Sequence, residues 1–576
     1  MQTPDDKRLI GRRPLLGGLA AAAALAPTGA PAAPMTPSQE QLGSLLQVAT
    51  RAQLAALDGS PGQAALLTEP GRQGFFVLRE GAAPGQDPLQ GLTIPSERGS
   101  RHWARMWDGS HGMPEWFGAR ANDRSAAATN RAAIEACIAL CPITQLAQAE
   151  YLIADTLRVS ISNRTLRGTN FSAEPPYNGG TRVVCTDPRR DVIRVGGTPN
   201  AIPSIIHLEA LTACWSVDLV PPPTGREAEA PAAFRVEHVL TSRLERCFAL
   251  DPLIGFWFNG AINTRCIGYG VTRFKGYRGG GRDFVRGVWV RGKPRRFAGG
   301  NASLYLMDGN VSTSEAMRAA FYMPMGIYAD ADFADLYILG LETFQIAFPI
   351  TLDGAGGDFS GGHGDVHIRS LVIDQIIGDG ITIRNTNPLA KIQIDGGYIQ
   401  IVDSRQDNKG LWLENGGGAI TVSNLQITGE DSSSTSIGIY AKNRANVAIS
   451  DSVIVENIAF PVRVERGCAR LSLGCTVNGG VMRSRGHAAI AVDGASQSVL
   501  RPKLTGNPGA FTAGVELLGS VHDRVSIDPT MVDPMTVPSG RKVVINGKAV
   551  TASGHYSGNG DRAPEGAGVM VSGVVG

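Results

Sequence analysis

Residues 366–473 decide the fold, because short apolar triplets recur in them at a nearly constant interval. The first series is Val366-His367-Ile368, Ile392-Gln393-Ile394, Ile420-Thr421-Val422, Val447-Ala448-Ile449 and Leu471-Ser472-Leu473, with centres 24 to 28 residues apart by their numbering. A second series runs out of phase with it: Ile350-Thr351-Leu352, Ile381-Thr382-Ile383, Leu411-Trp412-Leu413, Ile437-Gly438-Ile439 and Val462-Arg463-Val464. A third, looser set follows the first by a few residues, at 371–373, 398–400, 425–427 and 453–455.

Each triplet reads apolar, any residue, apolar, which indicates a short strand with one buried face, because side chains alternate across a strand. One turn of three such strands cannot bury its apolar face alone, whereas stacked turns can. We therefore predict an all-β fold, a parallel β-helix with three strands per coil. The alternative, an irregular β-sandwich, would place its strands about 8–12 residues apart without a three-fold phase.

Composition is compatible with one long solenoid. The chain has 576 residues, and many of its 72 glycines lie between the triplets, where the coils must turn sharply. The 54 basic and 52 acidic residues nearly balance. This balance argues against a dedicated nucleic-acid-binding protein.

The first 34 residues predict an export signal. Arg12-Arg13 and Leu15-Leu16 precede an alanine-rich run that is too short for a membrane span. The arginine pair is similar to a twin-arginine signal, and the alternative is an ordinary secretory signal. Both predict a periplasmic or secreted protein. Because no later stretch is long and apolar enough, we expect no membrane anchor.

We divide the rest of the chain into a small β-rich module (35–110), the β-helix domain (111–552) and a Gly-rich tail (553–576) that we expect to be disordered or loosely packed. Eight cysteines in an exported protein permit disulfides, but their spacing matches neither a disulfide framework nor a zinc site. Cys137 and Cys141 are one helical turn apart, which fits a buried helix face. We favour mostly buried free thiols.

The segment 114–168 predicts the beginning of the solenoid. A helix from about Ser125 to Leu140, N-capped by Asp123 or Ser125, is well placed to cover the open apolar end of the coils. Trp116-Phe117-Gly118-Ala119, the Asn122-Asp123 pair, this helix, Tyr151-Leu152-Ile153-Ala154 and Leu166-Arg167-Gly168 resemble the start of pectate-lyase-like proteins. That superfamily includes polygalacturonases, polysaccharide lyases and phage tailspike depolymerases. The resemblance covers about residues 114–500 and implies a right-handed parallel β-helix with an N-terminal capping helix.

Candidate catalytic carboxylates concentrate just before the most regular coils. They are Asp330, Asp332, Asp335, Glu342, Asp353 and Asp365. Extending the first series backwards aligns Leu336-Tyr337-Ile338 with Val366-His367-Ile368, which places Asp335 one coil from Asp365. The second series places Asp330 one coil from Asp353 in the same way. Successive coils are about 4.8 Å apart, so both pairs are predicted to stack.

Stacked carboxylates favour acid–base chemistry, because like charges at this distance raise the pKa of one partner. A glycosidase needs one protonated acid and one ionised base or nucleophile. The resemblance implies Asp/Glu clusters on the side of the helix in polygalacturonases and tailspike hydrolases. We therefore predict one carboxylate cluster, led by Asp332, Asp335 and Glu342. Each aspartate alone could instead be a solvated turn residue.

Several residues near these carboxylates are candidates for sugar binding. A basic segment at 273–296, with Arg282 and Arg286 as the selected residues, suits an anionic sugar because arginine binds carboxylates bidentately. The alternative is a solvated loop. Tyr337 and His367 share a surface ladder that could line a sugar groove. Gly362-His363-Gly364 is similar to the Gly-His-Gly of polygalacturonases, but the other motifs of that family are not found.

Three functions follow, in order of preference. The first is an exported enzyme that hydrolyses glycosidic bonds of an acidic polysaccharide without a cofactor. The second is a polysaccharide lyase, for which Ca²⁺ could neutralise the uronate and Asp330, Asp332 and Asp335 could be its ligands. The third is a non-catalytic glycan-binding or surface β-helix. The expected partner is an acidic polysaccharide, not nucleic acid, and a homotrimer is compatible with the resemblance to tailspikes.

Overall fold

The computed structural model describes residues 46–170, 180–220, 222–223, 226–272, 285–291, 302–313, 324–330, 335–354, 364–402, 407–429, 436–479, 487–519, 522–566 and 568–573. Most strands of the described residues, 41 of them, form one sheet, in which parallel strands of successive coils pair with each other. The predicted all-β parallel β-helix with three strands per coil is therefore confirmed. The predicted export signal at 1–34 lies outside the described residues.

The three strand series form three faces of the helix, which we call face 1, face 2 and face 3. Face 1 contains His111–Gly112, Ile143–Gln145, Arg164–Arg167, Ile206–Glu209, Arg243–Glu245, Ala302–Met307, Asp335–Leu339, Cys468–Leu473, Ala495–Ser496, Val499–Leu500, Val525–Ile527 and Val569–Val571. Face 2 contains Leu157–Val159, Ile193–Gly196, Ala232–Leu240, Arg286–Arg291, Met325–Asp330, Phe348–Asp353, Ile381–Thr386, Lys409–Gly416, Phe460–Val464, Ile490–Asp493, Val515–Leu518 and Val543–Ile545. Face 3 contains Glu150–Ile153, Arg182–Cys185, Thr212–Trp215, Phe248–Leu250, Gly270–Thr272, Asn310–Ser312, Glu342–Phe344, Ile454–Glu456, Thr476–Asn478 and Lys503–Thr505.

Five longer strands pass from one face to the next. Ile254–Ile267 and Ile437–Ile449 belong to faces 2 and 1, and Asp365–Ile376, Lys391–Ile401 and Ala419–Gly429 belong to faces 1 and 3. Ser370, Gly396 and Asn424 occupy the same corner of three successive coils, and all have positive φ. Gly and Asn adopt this left-handed conformation at low cost, which explains their use at the corners.

The inward side chains form one continuous core along the helix. Ile350, Ile381 and Leu411, each on a different coil of face 2, have no exposed surface. Burying an aliphatic side chain of this size contributes about 1.5–3 kcal/mol, so each added coil extends a core that a single coil could not maintain. All eight cysteines are buried and free, which confirms the prediction of free thiols.

The first series is confirmed throughout, but the other two contain errors of register. Leu411 pairs with Ile439 and not with Ile437, and Tyr398 pairs with Val372, the second residue of its triplet. Ile437 and Ile439 are both buried. The Ile437 error is a shift of two residues, which keeps every side chain on its own face, so the apolar pattern alone does not detect it. The Tyr398 error is a shift of one residue, and the buried member of that triplet is Ile399 rather than Tyr398.

An N-terminal module packs beside the helix. Its five-stranded sheet contains Leu46–Val48, Ala64–Leu67, Gly74–Glu80, Thr93–Pro95 and Arg101–Arg105, with helix α1 (Arg51–Ala56) next to it. A separate small core includes Phe76 and Trp103. Arg72 Nη1 donates to the Trp116 carbonyl at 2.8 Å, which connects the module to the first 3₁₀ turn, Pro114–Phe117.

Helix α2 (Ala127–Leu140) lies at the start of the coils. The 3₁₀ turn Arg124–Ala126 precedes it, and the Asp123 carboxylate accepts from the Ser125 amide at the start of that turn. Ile134 and Cys137 of α2 are buried in the main core. The capping role of α2 stays a prediction. A third 3₁₀ turn, Glu227–Glu229, precedes Ala232–Leu240.

The prediction of a loosely packed tail after Ser553 is corrected by the structure. Val569–Val571 pairs in parallel with Val525–Ile527 on face 1. Gly554–Tyr556 pairs antiparallel with Val569–Val571. Lys548–Ala549 forms a further antiparallel pair with Val543–Ile545. Val569 and Val571 belong to the main core. Two alternating valines in a Gly-rich segment were enough to form one more strand.

Candidate functional site

Two aspartates end neighbouring strands of face 2. Asp330 is the last residue of Met325–Asp330, Asp353 is the last residue of Phe348–Asp353, and the two are in register. Adjacent parallel strands lie about 4.8 Å apart, so these side chains leave the sheet side by side. The predicted stacking of this pair is confirmed.

Asp330 lies in an environment that favours its protonated form. It is half-buried, and the indole Nε1 of Trp289 donates to its Oδ1 at 2.7 Å. Burial raises the pKa of Asp330 above its usual value, while the Trp289 hydrogen bond and the charges of Arg291 and Arg286 oppose that rise. Desolvation is the largest effect, so this carboxyl group suits a proton donor.

Asp353 is buried and forms an ion pair with an arginine. Arg384 Nε is 2.7 Å from its Oδ2, and Asn385 Nδ2 donates to its Oδ1 at 2.9 Å. Arg384 is the residue in register with Asp353 on the next coil. The contact between Arg384 and Asp353 is therefore a charge-assisted hydrogen bond between two coils. The two members of the pair thus have opposite surroundings.

Aromatic rings stack on face 2 beside this pair. Trp257 and Trp289 are in register and stack with centroids 4.7 Å apart, and Tyr328 follows at 6.5 Å from Trp289. The Arg286 guanidinium lies 4.0 Å from the Trp289 centroid and 4.2 Å from that of Tyr328. Arg286, a predicted sugar-binding residue, is nearly buried among these rings. Its role in sugar binding stays a prediction.

The second predicted pair, Asp335 and Asp365, is also in register, but it lies on face 1. Ser303 Oγ donates to Asp335 Oδ2 at 3.1 Å. Next to the pair, Tyr337 and His367 stack with centroids 4.9 Å apart, and Tyr305 stacks on Tyr337 at 4.5 Å. The predicted Tyr337–His367 ladder is therefore present, although these rings cover one another's faces.

The structure does not bring the described candidate carboxylates into one cluster. Glu342 begins a strand of face 3, where Asn310 Nδ2 donates to its Oε2 at 3.2 Å. Its strand position therefore separates it from both aspartate pairs. The register extension gave the coil of each residue correctly, but three residues on one coil can occupy three different faces. Asp332, Arg282 and His363 lie outside the described residues.

A second group of rings lies farther along face 2. Trp412 and Tyr440 are in register and meet edge to face at 6.2 Å. Lys409 Nζ lies 4.4 Å from the Trp412 centroid and 3.8 Å from Asp379 Oδ1. Burial raises the pKa of Asp379, and Lys409 opposes this rise. Thr351 and Thr382 occupy the rungs between Tyr328 and Trp412.

Within the described ranges, no group of three or more His, Cys, Asp or Glu side chains could hold a metal ion. Among the same residues, no helix has the length and apolarity that a membrane crossing requires.

Sequence reasoning missed Trp289, Arg384 and Asn385, although all three contact the face 2 aspartates. The sequence does contain a pattern that indicates the position of Trp289. Trp257 and Trp289 are 32 residues apart by their numbering, close to the coil period, so extending the second series backwards would have placed both on face 2. Their hydrogen-bond partners depend on side-chain orientation, which the period does not give.

No family model and no curated protein matches this chain. Solved structures of phage tailspikes are similar to it. A double mutant of the tailspike protein of E. coli bacteriophage HK620 in complex with a pentasaccharide has a TM-score of 0.52 at 10% identity, covering 73% of this chain and 75% of the tailspike. A single mutant of the same tailspike with pentasaccharide has a TM-score of 0.51 at 10% identity, covering 79% and 82%. The gp42 tailspike of Acinetobacter phage vb_AbaP_AS12 has a TM-score of 0.44 at 13% identity, covering 75% and 74%.

At these identities the similarity defines the fold. The chain is a right-handed parallel β-helix, the fold that the resemblance of residues 114–168 implied.

Proposed function

We propose that this protein is a polysaccharide depolymerase that hydrolyses glycosidic bonds, with Asp330 as general acid and Asp353 as base or nucleophile. The observation that carries the proposal is the unlike environment of two carboxyl groups in register on adjacent coils. Burial raises the pKa of Asp330, whereas Asp353 forms an ion pair with Arg384 at 2.7 Å. Glycoside hydrolysis requires this division of roles between two carboxyl groups.

The reaction needs only these two groups and water. Asp330 donates its proton to the glycosidic oxygen, and the bond from that oxygen to the anomeric carbon breaks. Asp353 then either removes a proton from the attacking water or attacks the anomeric carbon itself before water does. Hydrolysis by two carboxyl groups needs no metal, in line with the expectation that no cofactor is required.

An acidic polysaccharide is the proposed substrate. Arg384 lies on face 2 next to the aspartate pair, where its Nε contacts Asp353 while its side chain stays 36% exposed. A guanidinium has further N–H groups, and these suit the carboxylate of an anionic sugar chain. The pentasaccharide complexes of the HK620 tailspike show that a protein with this fold can hold an oligosaccharide. Export through the signal at 1–34 and a trimeric assembly are parts of the same proposal.

The decisive experiment is to incubate the protein with a panel of acidic exopolysaccharides. New reducing ends without the ultraviolet absorbance of an unsaturated uronate support hydrolysis, and their loss in Asp330→Asn and Asp353→Asn supports this site. Uronate absorbance would identify a lyase instead. Full activity of both variants would contradict the assignment, and no product from any polymer, with binding retained, would indicate a non-catalytic glycan-binding protein.

A further inference from the structure

We propose that Trp289 is a positioning residue that keeps the transferable proton of Asp330 on Oδ2. The inference rests on the function proposed above and adds to it a residue that does not touch the substrate. It starts from one contact, the hydrogen bond from Trp289 Nε1 to Asp330 Oδ1 at 2.7 Å. Trp289 lies one coil before Asp330, on the strand Arg286–Arg291.

The Trp289 ring is held in place by its neighbours. Trp257 stacks on it from the preceding coil with an interplanar angle of 18°, and the Arg286 guanidinium lies 4.0 Å from its centroid. Only 1% of Trp289 is exposed. A ring packed in this way cannot turn without displacing its neighbours, so the direction of its N–H is fixed.

A fixed N–H donor determines which carboxyl oxygen carries the acid proton. In a protonated carboxyl group the carbonyl oxygen accepts a hydrogen bond better than the hydroxyl oxygen does. The Trp289 N–H therefore makes Oδ1 the carbonyl oxygen and leaves the proton on Oδ2. Among the described residues, no other side chain is seen to donate to this carboxyl group.

The charged and titratable groups around Asp330 do not perform this selection. Arg286 and Arg291 approach from the preceding coil, and their charges favour the carboxylate as a whole. Tyr328 precedes it on its own strand, and Asp353, paired with Arg384, faces it from the next coil. These groups influence when Asp330 ionises, whereas Trp289 is the side chain, among the described residues, whose N–H donates to one particular oxygen of Asp330.

The same hydrogen bond strengthens during the reaction. As the Oδ2–H bond breaks and the proton passes to the glycosidic oxygen, negative charge develops on the Asp330 carboxylate. Hydrogen bonds to a charged acceptor are about twice as strong as those to a neutral one. Trp289 thus stabilises the transition state more than the ground state, which accelerates the reaction.

Trp289→Phe tests the inference, with Trp257→Phe as its matched control. Both variants remove the same atoms from adjacent rings of one stack, but Trp257 Nε1 has no hydrogen-bond partner within the described residues. We expect Trp289→Phe to lower kcat about 10-fold and to move the alkaline limb of the pH–kcat profile to higher pH, because the carboxylate loses a donor. Trp257→Phe should leave that limb in place. Equal profiles for the two variants would overturn the inference.

A second measurement does not depend on catalysis. The chain contains seven tryptophans, so protein labelled with ¹⁵N-tryptophan gives few indole signals. The indole signal that is missing from the spectrum of Trp289→Phe belongs to Trp289. Its chemical shift should change with pH in the unaltered protein and should stay constant in Asp330→Asn. A Trp289 signal that ignores pH would contradict the inference even if Asp330→Asn is inactive. An active Asp330→Asn enzyme would contradict the proposed function instead.

Discussion

The two stacked aspartate pairs of this protein share a geometry but differ in their surroundings. Both pairs are in register on adjacent coils. On face 2, a buried indole contacts Asp330 and a guanidinium contacts Asp353. On face 1, Asp335 accepts a hydrogen bond from Ser303. Its register neighbour Asp365 is in turn in register with Lys391 on the next coil. The repeat brings carboxylates together on either face, but the side chains that contact the two members of a pair differ from one face to the other.

The largest expected effect comes from removing the face 2 carboxylates. Asp330→Asn and Asp353→Asn should each lower kcat by about 10²–10⁴-fold, the usual contribution of a general acid or base. Asp335→Asn and Asp365→Asn are the matched controls on face 1 and should retain most of the activity. Reducing-end kinetics on the same polymer measure all four, with circular dichroism to confirm folding. A larger loss of kcat in the two face 1 variants would place the active site on face 1 instead of face 2.

The next largest effect concerns the cation beside each pair. Arg384→Gln removes the guanidinium that orients Asp353, and we expect kcat to fall about 10- to 100-fold through misplacement of that carboxylate. Lys391→Gln removes the cation in register with Asp365 on face 1 and should leave kcat unchanged. Steady-state kinetics of the two variants show which of the two cations supports catalysis. A loss of activity in Lys391→Gln alone would contradict the choice of face 2.

Stability should depend on pH through Asp330. Burial raises its pKa in the folded state, so above the ordinary aspartate value of about 3.9 the folded protein holds a proton that the unfolded chain has released. The free energy of unfolding should therefore fall as pH rises through this window. Urea denaturation at several pH values should give a flatter dependence for Asp330→Asn than for the unaltered protein. Identical slopes in the two proteins would be evidence against a raised pKa at Asp330.

The smallest effects come from two positions with the same backbone conformation. Ser303 and Asn385 both have positive φ, and each donates one hydrogen bond to an aspartate. Glycine tolerates that conformation, so Ser303→Gly and Asn385→Gly each remove one hydrogen bond at a cost of about 1 kcal/mol. Thermal unfolding should show similar losses in both, whereas only Asn385→Gly should also reduce kcat. An equal reduction of kcat in Ser303→Gly would contradict the assignment of the site to face 2 alone.

Much of the fold could be predicted from the triplets, because a solenoid repeats its local environment. The same three-residue pattern on successive coils marks the same strand, and so the register placed Asp335 beside Asp365 and Asp330 beside Asp353. The prediction failed where two alternatives share one pattern. Ile437 and Ile439 both suit the core, and the valines at 569 and 571 were too few to stand out in a Gly-rich segment.

Less of the candidate site could be predicted, because position along the chain gives the coil of a residue but not its neighbours. Asp330, Asp335 and Glu342 lie within 13 consecutive positions, yet they fall on faces 2, 1 and 3. Arg286 is one of many arginines in a basic segment, and nothing local indicates that it packs on Trp289 and Tyr328.

The sequence by itself determined the period, the three faces and the vertical pairing of aspartates, since these depend only on strand alternation and a constant coil length. Only the tertiary structure decided which pair has an indole beside one carboxyl group and a guanidinium beside the other. Protonation depends on desolvation and on contacts of a few ångströms, and those come from coils more than 30 residues away, such as the one that carries Trp289. The triplets from 366 onward define the scaffold, and the coils just before them hold the candidate site.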